Sequence, residues 1–209
     1  MSTAPGLFIT FEGIDGAGKS TQARALGAWA EAEGREVVLT REPGGSAGAE
    51  EIRRLLVEGT PDRWSGETET LLFTAARRDH LERVIRPALS AGKVVISDRF
   101  ADSTRVYQGA ARGELRGFVD TLHALAIGRE PDLTLILDMD PEVALARGLA
   151  RRSGEDRFEE EGLAFQQKLR AGFLALAASD PARCRVIDAS RRPEEITADV
   201  IATAQEKLQ

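Results

Sequence analysis

The sequence predicts an α/β fold in three layers, with a parallel β-sheet covered on both faces by helices. Five short apolar runs, each followed by a segment of helical spacing, carry this prediction. The runs occupy residues 7–11, 36–40, 93–97, 133–137 and 185–187. Because they are nearly all apolar, and do not alternate with polar residues, both faces of each strand are expected to be buried. That is typical of parallel sheets.

Two of the helices are marked by their ends. Residues 68–90 have helical spacing after a loop at 59–66. Gly92 closes this helix, and Pro87 is expected to kink it near its end. Asp140 and Pro141 suit the start of another helix, because Asp140 can cap free N–H groups and Pro141 fits the first turn. That helix runs into a charged segment without apolar periodicity, which predicts a lid at about 147–160.

Length and composition restrict the function. The 209 residues are 42% hydrophobic and 30% charged, which indicates a single globular domain over 1–209 with a short lid. A net charge of −6 disfavours a general nucleic-acid binder, and no apolar run approaches the roughly 20 residues that span a bilayer. Cys184 is the only cysteine, which favours a reducing compartment, the cytoplasm. His80 and His123 lack partners at metal-ligand spacing.

The strongest motif is a glycine-rich loop between the first strand and a helix predicted over 20–33. It reads GIDGAGKS and fits G-x-x-x-x-G-K-[ST], whose glycines let backbone N–H groups curl towards phosphate oxygens. The helix N-terminus adds partial positive charge, Lys19 is expected to reach the β- and γ-phosphates, and Ser20 to ligate Mg²⁺. The residues expected at the nucleotide phosphates are Gly13, Ile14, Asp15, Gly16, Ala17, Gly18, Lys19, Ser20 and Thr21.

The charges around this loop are unusual. A carboxylate facing bound phosphate would be repelled, so Asp15 is expected to point away from the cradle, towards a second substrate's hydroxyl or a metal-bound water. The alternative is a solvated loop carboxylate. The loop's variable positions include no cation, whereas Arg147, Arg151, Arg152 and Arg157 cluster in the lid. We expect a closing lid to supply the missing charge, with at least one of these arginines facing solvent.

A second part of the phosphate chemistry follows the strand at 93–97. The carboxyl ends of parallel strands line the ligand crevice, and this strand ends in Asp98 and Arg99. Asp98 could orient a magnesium ion, and Arg99 could hold a phosphate through two hydrogen bonds. Asp138 ends another strand and competes for the metal. We favour Asp98, because the arginine beside it supplies a phosphate partner.

An aromatic ring and an arginine share one stripe of the helix at 68–90. Phe73 and Arg77 are spaced i, i+4, which suits a flat base stacked by the ring and hydrogen-bonded at its edge. Arginine donates and cannot accept, so it would favour the O4 carbonyl of thymine or uracil over the amine of cytosine. A phenylalanine on a helix is more often a core residue, so the spacing alone leaves this interpretation open.

The motifs together resemble the thymidylate kinase family. They are FEGIDGAGKST, TREPGG at 40–45, Phe73 with Arg77, DRF at 98–100, DSTRVYQG at 102–109, PDLTLILDMDPE at 131–142 and DRFE at 156–159. The resemblance covers nearly the whole chain and implies a P-loop nucleoside-monophosphate-kinase fold with a five-stranded parallel sheet. It also implies a homodimer and an ATP- and Mg²⁺-dependent phosphorylation of dTMP to dTDP, for dTTP synthesis. Gly16 stands where some members carry a basic residue, so the chain is similar to the bacterial type with a basic lid.

The resemblance implies roles for particular residues. Phe73 stacks on thymine, Arg77 bonds its O4, and Arg99 holds the acceptor phosphate. Asp15 meets the sugar 3′-hydroxyl, and Tyr107 lies near the 2′ position and selects deoxyribose. The implied catalytic residues are Lys19, Asp15, Arg99, Arg152 and Arg157, with Arg147 at ATP and Ser20 and Asp98 at Mg²⁺. The implied substrate-binding residues are Asp15, Pro43, Phe73, Arg77, Arg99, Ser103, Thr104, Tyr107 and Gln108.

Three other functions were weighed against this one. A P-loop kinase acting on a deoxynucleoside would leave Arg99 without an acceptor phosphate. A GTP-dependent switch reads guanine with an N-K-x-D motif, and the chain contains no asparagine. An inactive nucleotide sensor is disfavoured because Lys19, Ser20, Asp98 and the lid arginines are all present.

Overall fold

The computed structural model describes residues 6–58, 63–111, 115–151 and 162–208. It contains a five-stranded sheet in the order β2-β3-β1-β4-β5, in which all neighbouring strands are parallel. The strands are β1 (Leu7–Glu12), β2 (Val37–Arg41), β3 (Val94–Asp98), β4 (Leu133–Asp138) and β5 (Cys184–Asp188). Each overlaps one of the five predicted runs, so the predicted parallel sheet is confirmed.

The helices follow the strands and occupy most of the remaining described chain. They are α1 (Lys19–Ala32), α2 (Ala47–Val57), α3 (Gly66–His80), α4 (Arg86–Ser90), α5 (Ala101–Val106), α6 (Arg116–Leu122), α7 (Pro141–Arg151), α8 (Gly162–Ser179) and α9 (Pro193–Leu208). As predicted, Asp140 caps α7 by accepting from the N–H groups of Glu142 and Val143, at 2.9 and 3.3 Å. No helix in the described ranges is long and apolar enough to cross a membrane.

The helix predicted over 68–90 differs from the structure at its start and in the type of helix that it forms in the middle. It begins at Gly66, where the side chain of Ser65 accepts from the N–H of Thr68 and so caps α3. The helical path is interrupted by a π-helical turn at Leu81–Ile85, before Pro87. Pro87 is the second residue of α4, directly after this turn, and the kink expected there stays a prediction.

The sheet is buried by helices on both of its faces. Ile9 and Ile96 pack in one cluster with Leu26 of α1, whereas Phe8 and Val95 pack in another with Leu81 and Ile85. Successive strand residues point to opposite faces, so these neighbours in sequence belong to different layers. The predicted three-layer arrangement is confirmed.

A buried network of ion pairs and hydrogen bonds fixes α5 to β4 and to the residue that precedes β5. Asp102 accepts from Arg105 at 2.8 Å and from Arg183 at 2.5 Å, and Thr134 on β4 donates to it at 3.3 Å. Arg183 directly precedes β5, so the network joins α5 to β4 and to the start of β5. It holds the N-terminal part of α5 beside the ends of β1 and β3.

The register brings three strand ends to one edge. Phe11 of β1 and Arg41 of β2 are both paired with Asp98 of β3. The glycine-rich loop, the segment after β2 and the turn into α5 therefore leave the sheet side by side.

Candidate active site

The loop after β1 has a backbone that only glycine adopts easily. Gly13, Gly16 and Gly18 have φ angles of 130°, 86° and 96°. A Cβ atom on Gly16 would overlap the backbone carbonyl oxygen of Ala144, because α7 packs directly on the loop. The glycine spacing of the motif is thus required by the loop's own conformation and by its contact with α7.

Lys19 lies over the loop that precedes it. Its Nζ donates to the carbonyl oxygens of Gly13 and Ile14 at 3.1 and 2.8 Å. Burial lowers the pKa of Lys19 to about 8, and the positive charge of Arg99 acts in the same direction. An anionic phosphate beside Nζ would favour the charged form, so nucleotide binding and the lysine's positive charge reinforce each other.

A hydroxyl and a carboxylate meet at the end of β3. Ser20 Oγ donates a short hydrogen bond to Asp98 Oδ2, whereas both oxygens of Asp138 accept from Arg170, at 2.6 and 2.8 Å. Oxygen donors of this kind suit Mg²⁺, which keeps several waters and takes few protein ligands. Within the described ranges no group of three or more His, Cys, Asp or Glu side chains could hold a metal. Asp138 is thus already paired with an arginine, and the assignment of Asp98 to the metal stays a prediction.

Asp15 faces a cation and a phenol across the pocket. Arg99 Nη2 donates to Asp15 Oδ1 at 2.6 Å, Tyr107 donates to Oδ2 at 2.9 Å, and Lys19 Nζ lies 3.8 Å from Oδ1. Burial opposes ionisation, but the charges of Arg99 and Lys19 and these hydrogen bonds hold the pKa of Asp15 well below its ordinary range. Asp15 is therefore an ionised pocket residue and is not the solvated loop carboxylate of the alternative interpretation.

The second arginine of the pocket, Arg77, is held in place by hydrogen bonds to neighbouring protein groups. Arg77 Nε donates to Glu42 Oε2 at 2.7 Å, and its Nη2 donates to the carbonyl oxygen of Phe100 and to Thr104 Oγ1, at 3.2 and 3.0 Å. Glu42 Oε1 also lies 3.0 Å from His80 Nδ1. The guanidinium is thus fixed in direction before any ligand reaches it. His80 is buried, as a structural residue is expected to be.

An amide acceptor lies near this arginine. Gln108 Nε2 donates to Glu69 Oε2 at 3.1 Å, and both side chains are buried. Gln108 Oε1 is buried without a hydrogen-bond partner in the part of the chain that the structure describes. Because a buried acceptor without a partner is costly, this oxygen is suited to an N–H group of a ligand.

One cavity of about 320 Å³ joins the two ends of the site. Its lining includes all nine residues predicted to bind substrate, together with Gly16, Gly18, Lys19, Ser20 and Asp98 from the predicted phosphate and metal sites. Ile14 and Ala17 have buried side chains, so only their backbone groups could face a phosphate. The lining also contains residues for which the sequence analysis gave no role: Arg41, Glu42, Arg53, Val57 and Phe100.

Two of these unassigned residues could not be identified from the sequence, for different reasons. Glu42 lies inside the TREPGG motif, but its pairing with Arg77 depends on an approach that spacing does not reveal. Arg53 of α2 donates from Nη1 to the carbonyl oxygen of Pro43 at 2.5 Å. It is one of two adjacent arginines on a surface helix, and nothing in the sequence distinguishes it from Arg54.

The lid residues are only partly within the described ranges. Arg147 lies on α7 with Nη1 3.4 Å from the sulfur of Met139, and its role at ATP stays a prediction. Arg152 and Arg157 lie outside the described residues, as does most of the predicted lid.

The sheet order and the glycine-rich loop define a P-loop kinase of the nucleoside-monophosphate-kinase fold. A model of the family described as "Thymidylate kinase" matches residues 11–200. Relatives named thymidylate kinase from Dinoroseobacter shibae and Jannaschia sp. are 70% and 68% identical, over 96% and 98% of this chain and 97% and 98% of theirs. A crystal structure of thymidylate kinase from Ehrlichia chaffeensis matches with a TM-score of 0.79 and 35% identity, over 96% of this chain and all of that one. The chain belongs to the thymidylate kinase family.

Proposed function

We propose that the protein transfers the γ-phosphoryl group of ATP to the phosphate of dTMP, giving ADP and dTDP for dTTP synthesis. One observation carries this proposal: a single cavity contains both the P-loop lysine and a polar pair suited to a pyrimidine edge. Family membership supports the same reaction. The γ-phosphorus would gain a bond to an oxygen of the dTMP phosphate as its bond to the β-phosphate oxygen breaks.

The base end of the cavity favours thymine. Arg77 offers donors where thymine has its O4 carbonyl, and Gln108 Oε1 offers an acceptor where thymine has its N3–H group. Cytosine reverses both features, since it has an amine at C4 and an unprotonated N3. Phe73 lines the same cavity and supplies a ring face for stacking.

The phosphate end supplies charge for the transfer. Arg99 would hold the acceptor phosphate, and Lys19 would stabilise the charge that develops on the transferring group. Asp15 is ionised and would accept a hydrogen bond from the sugar 3′-hydroxyl. Burial raises the pKa of Tyr107 well above its ordinary range, so its hydroxyl stays protonated, orients Asp15 and limits the space beside C2′.

ATP and Mg²⁺ fit the residues at the loop. The N–H groups of the glycine-rich loop and the start of α1 would hold the ATP phosphates. Ser20 and Asp98 would hold the metal, which when bound neutralises charge on the β- and γ-phosphates. Thr21 and Arg147 would contact the nucleotide, and Arg152 and Arg157 would bring further positive charge from the lid.

Exposed apolar side chains on three neighbouring segments support a homodimer. Leu71 of α3, Phe118 of α6 and Leu125 in the turn after α6 are 50%, 37% and 79% exposed, and α3 packs against both of the other segments. Light scattering should give a dimer, and Leu125→Glu should give the monomer.

Neither nucleic acid nor a membrane is a proposed partner. We place the enzyme in the cytoplasm, where the thiol of Cys184 would stay reduced.

Coupled ADP release measured with each nucleoside monophosphate tests the proposed reaction. We expect turnover with dTMP, weaker turnover with dUMP, and poor turnover with dCMP, GMP or thymidine. Chelation of Mg²⁺ should abolish ADP release in every case. Faster turnover of dCMP or GMP than of dTMP would contradict the base assignment. Efficient use of thymidine would contradict the role of Arg99 and favour a deoxynucleoside kinase.

A further inference from the structure

A buried glutamate at the end of β1 is connected to Arg99 through one hydroxyl group. Glu12 Oε2 accepts from Ser103 Oγ at 2.6 Å, and the same Oγ accepts from Arg99 Nη1 at 2.8 Å. Glu12 Oε1 accepts from the backbone N–H groups of Phe100 and Ser103, at 2.8 and 3.3 Å. One carboxylate therefore holds both the backbone of the turn into α5 and the hydroxyl that contacts the guanidinium.

The turn held in this way has a strained residue at its centre. Arg99 has a φ of 73°, in the left-handed region that residues with a Cβ atom rarely adopt. Its N–H donates to the carbonyl oxygen of Phe11 at 2.9 Å, and its carbonyl oxygen accepts from Ser97 Oγ at 2.7 Å. Together with Glu12, these contacts keep the arginine in a conformation that it would otherwise leave.

We propose that Glu12 is a positioning residue for phosphoryl transfer and that it acts on Arg99 through the hydroxyl of Ser103. A carboxylate can only accept a hydrogen bond, so the hydroxyl of Ser103 donates to Glu12. The lone pairs of Oγ are then left to accept from Arg99 Nη1. Nη1 is thereby anchored, while Nη2 stays on the pocket side with Asp15 and Tyr107. The inference rests on the proposed function, in which Arg99 holds the acceptor phosphate.

The charges around Glu12 make this arrangement sensitive to pH. Burial raises the pKa of Glu12 to about 7, and the negative charge of Asp102 acts in the same direction, against the charge of Arg99 and the hydrogen bonds to the turn. Lys19 and Cys184 also interact electrostatically with Glu12. A protonated Glu12 could donate to Ser103 Oγ where the carboxylate accepts. A protonated Glu12 would then occupy one of the two lone pairs of Oγ, so the ionised form anchors Nη1 more firmly.

A matched pair of ligands separates positioning from general structure. The affinities for dTMP and for thymidine are measured by calorimetry, because only dTMP carries the phosphate that Arg99 would hold. Glu12→Gln keeps an oxygen for the two backbone N–H groups but places a donor opposite Ser103. We expect about tenfold weaker dTMP binding, with thymidine binding changed less than twofold. The KM for dTMP should rise by a similar factor.

A double-mutant cycle tests the route through the hydroxyl. Ser103→Ala should weaken dTMP binding by a factor similar to that of Glu12→Gln, and the double variant should be no more than about twofold worse than either single variant. Additive effects would overturn the proposal, as would equal losses of dTMP and thymidine affinity in Glu12→Gln.

A pH series gives a readout that does not depend on Glu12→Gln folding. Between pH 6 and 8 the preference of the wild type for dTMP over thymidine should rise. The preference of the wild type should rise by more than that of Ser103→Ala. The dTMP phosphate titrates near a pKa of about 6 in both experiments, so its contribution is the same in both. Equal pH profiles would overturn the proposal. Arg99→Ala separates the two levels. If it leaves the dTMP preference intact, the role of Arg99 in the proposed function fails, whereas the reaction itself is tested by ADP release. If it removes the preference while Glu12→Gln does not, only the role of Glu12 fails.

Discussion

The two ends of the pocket use the same chemical pair in different surroundings. At the phosphate end the side chains of Arg99 and Asp15 are 16% and 30% exposed, and both line the cavity. At the base end those of Arg77 and Glu42 are each 4% exposed. Both pairs have a nitrogen–oxygen distance close to 2.7 Å. All four residues line the cavity, so neither contact distance nor cavity lining distinguishes the pairs, whereas the exposed fraction of their side chains does.

This difference indicates two uses of an arginine. The charges at the phosphate end can exchange one partner for another, so an incoming phosphate can take the place of a carboxylate beside Arg99. Arg77 cannot change partners without leaving the buried carboxylate of Glu42 with only His80 beside it, which is costly. The phosphate end thus provides charge, and the base end provides a fixed direction of hydrogen bonding. Substitutions at the phosphate end should reduce turnover, whereas substitutions of the buried residues that hold Arg77 at the base end should reduce stability.

The largest effect is expected at the phosphate end. Lys19→Met removes the cation beside the loop while keeping an apolar side chain of similar length. We expect kcat to fall about 10³-fold, or about 4 kcal/mol, because electrostatic stabilisation of the developing charge is lost. Steady-state ADP release measures the effect. Calorimetry of dTMP binding is the control and should change little, and a loss of dTMP affinity equal to the loss of kcat would contradict this division of roles.

The next effect tests the sealed pair behind the base end. Glu42→Ala leaves Arg77 buried without its carboxylate, and we expect the free energy of unfolding to fall by about 3 kcal/mol. Urea denaturation measures this change. Glu82→Ala is the matched control, since Glu82 pairs with Arg78 on the exposed surface and its removal should cost less than about 1 kcal/mol. Similar losses in the two variants would show that burial does not separate these pairs.

The pH dependence of stability gives a third effect, at most about 3 kcal/mol. The pKa of Glu12 is about 7 in the native protein, above its ordinary value of 4.5, so the native state keeps a proton that the unfolded chain has lost. Stability should therefore fall as pH rises from about 4.5 to 7, and Glu12→Gln should lack this decline. Urea denaturation at several pH values measures both chains. Parallel stability curves for the two proteins would contradict the raised pKa.

The smallest effect sharpens the account of the base end. Gln108→Leu removes the buried acceptor with little change in volume, and we expect kcat/KM for dTMP to fall about tenfold. The value for dCMP should change less, because cytosine has no N3–H group to lose a partner. ADP release with both nucleotides measures the ratio. A ratio that stays constant would place the thymine N3–H group away from Gln108.

Sheet and loop could be predicted from sequence because each depends on local pattern. Continuous apolar runs separated the strands from the helices, and the glycine spacing located the phosphate loop. The π-helical turn at Leu81–Ile85 was missed because Leu81, Ile85 and Leu89 continue ordinary helical spacing through it. Hydrophobic periodicity detects a buried face and is insensitive to one additional residue in a turn.

The acids behind the pocket could not be predicted, for a different reason. Glu12 and Ser103 are 91 residues apart, and Glu42 and Arg77 are 35 apart. The value of each pair depends on the packing that seals it, and a short motif contains no information about burial. The residues proposed to face substrate follow from the family resemblance, because they lie inside recognisable motifs. The residues that support them can be identified only from contacts in the folded structure.

The contact between the glycine-rich loop and α7 limits where a cation can be introduced. An arginine at position 16 would drive its first side-chain carbon into the helix backbone at Ala144, so the helix would have to shift before the guanidinium could reach a phosphate. A chain built in this way cannot acquire a basic loop by one substitution. Engineering that adds a cation at position 16 would need to reposition α7 at the same time.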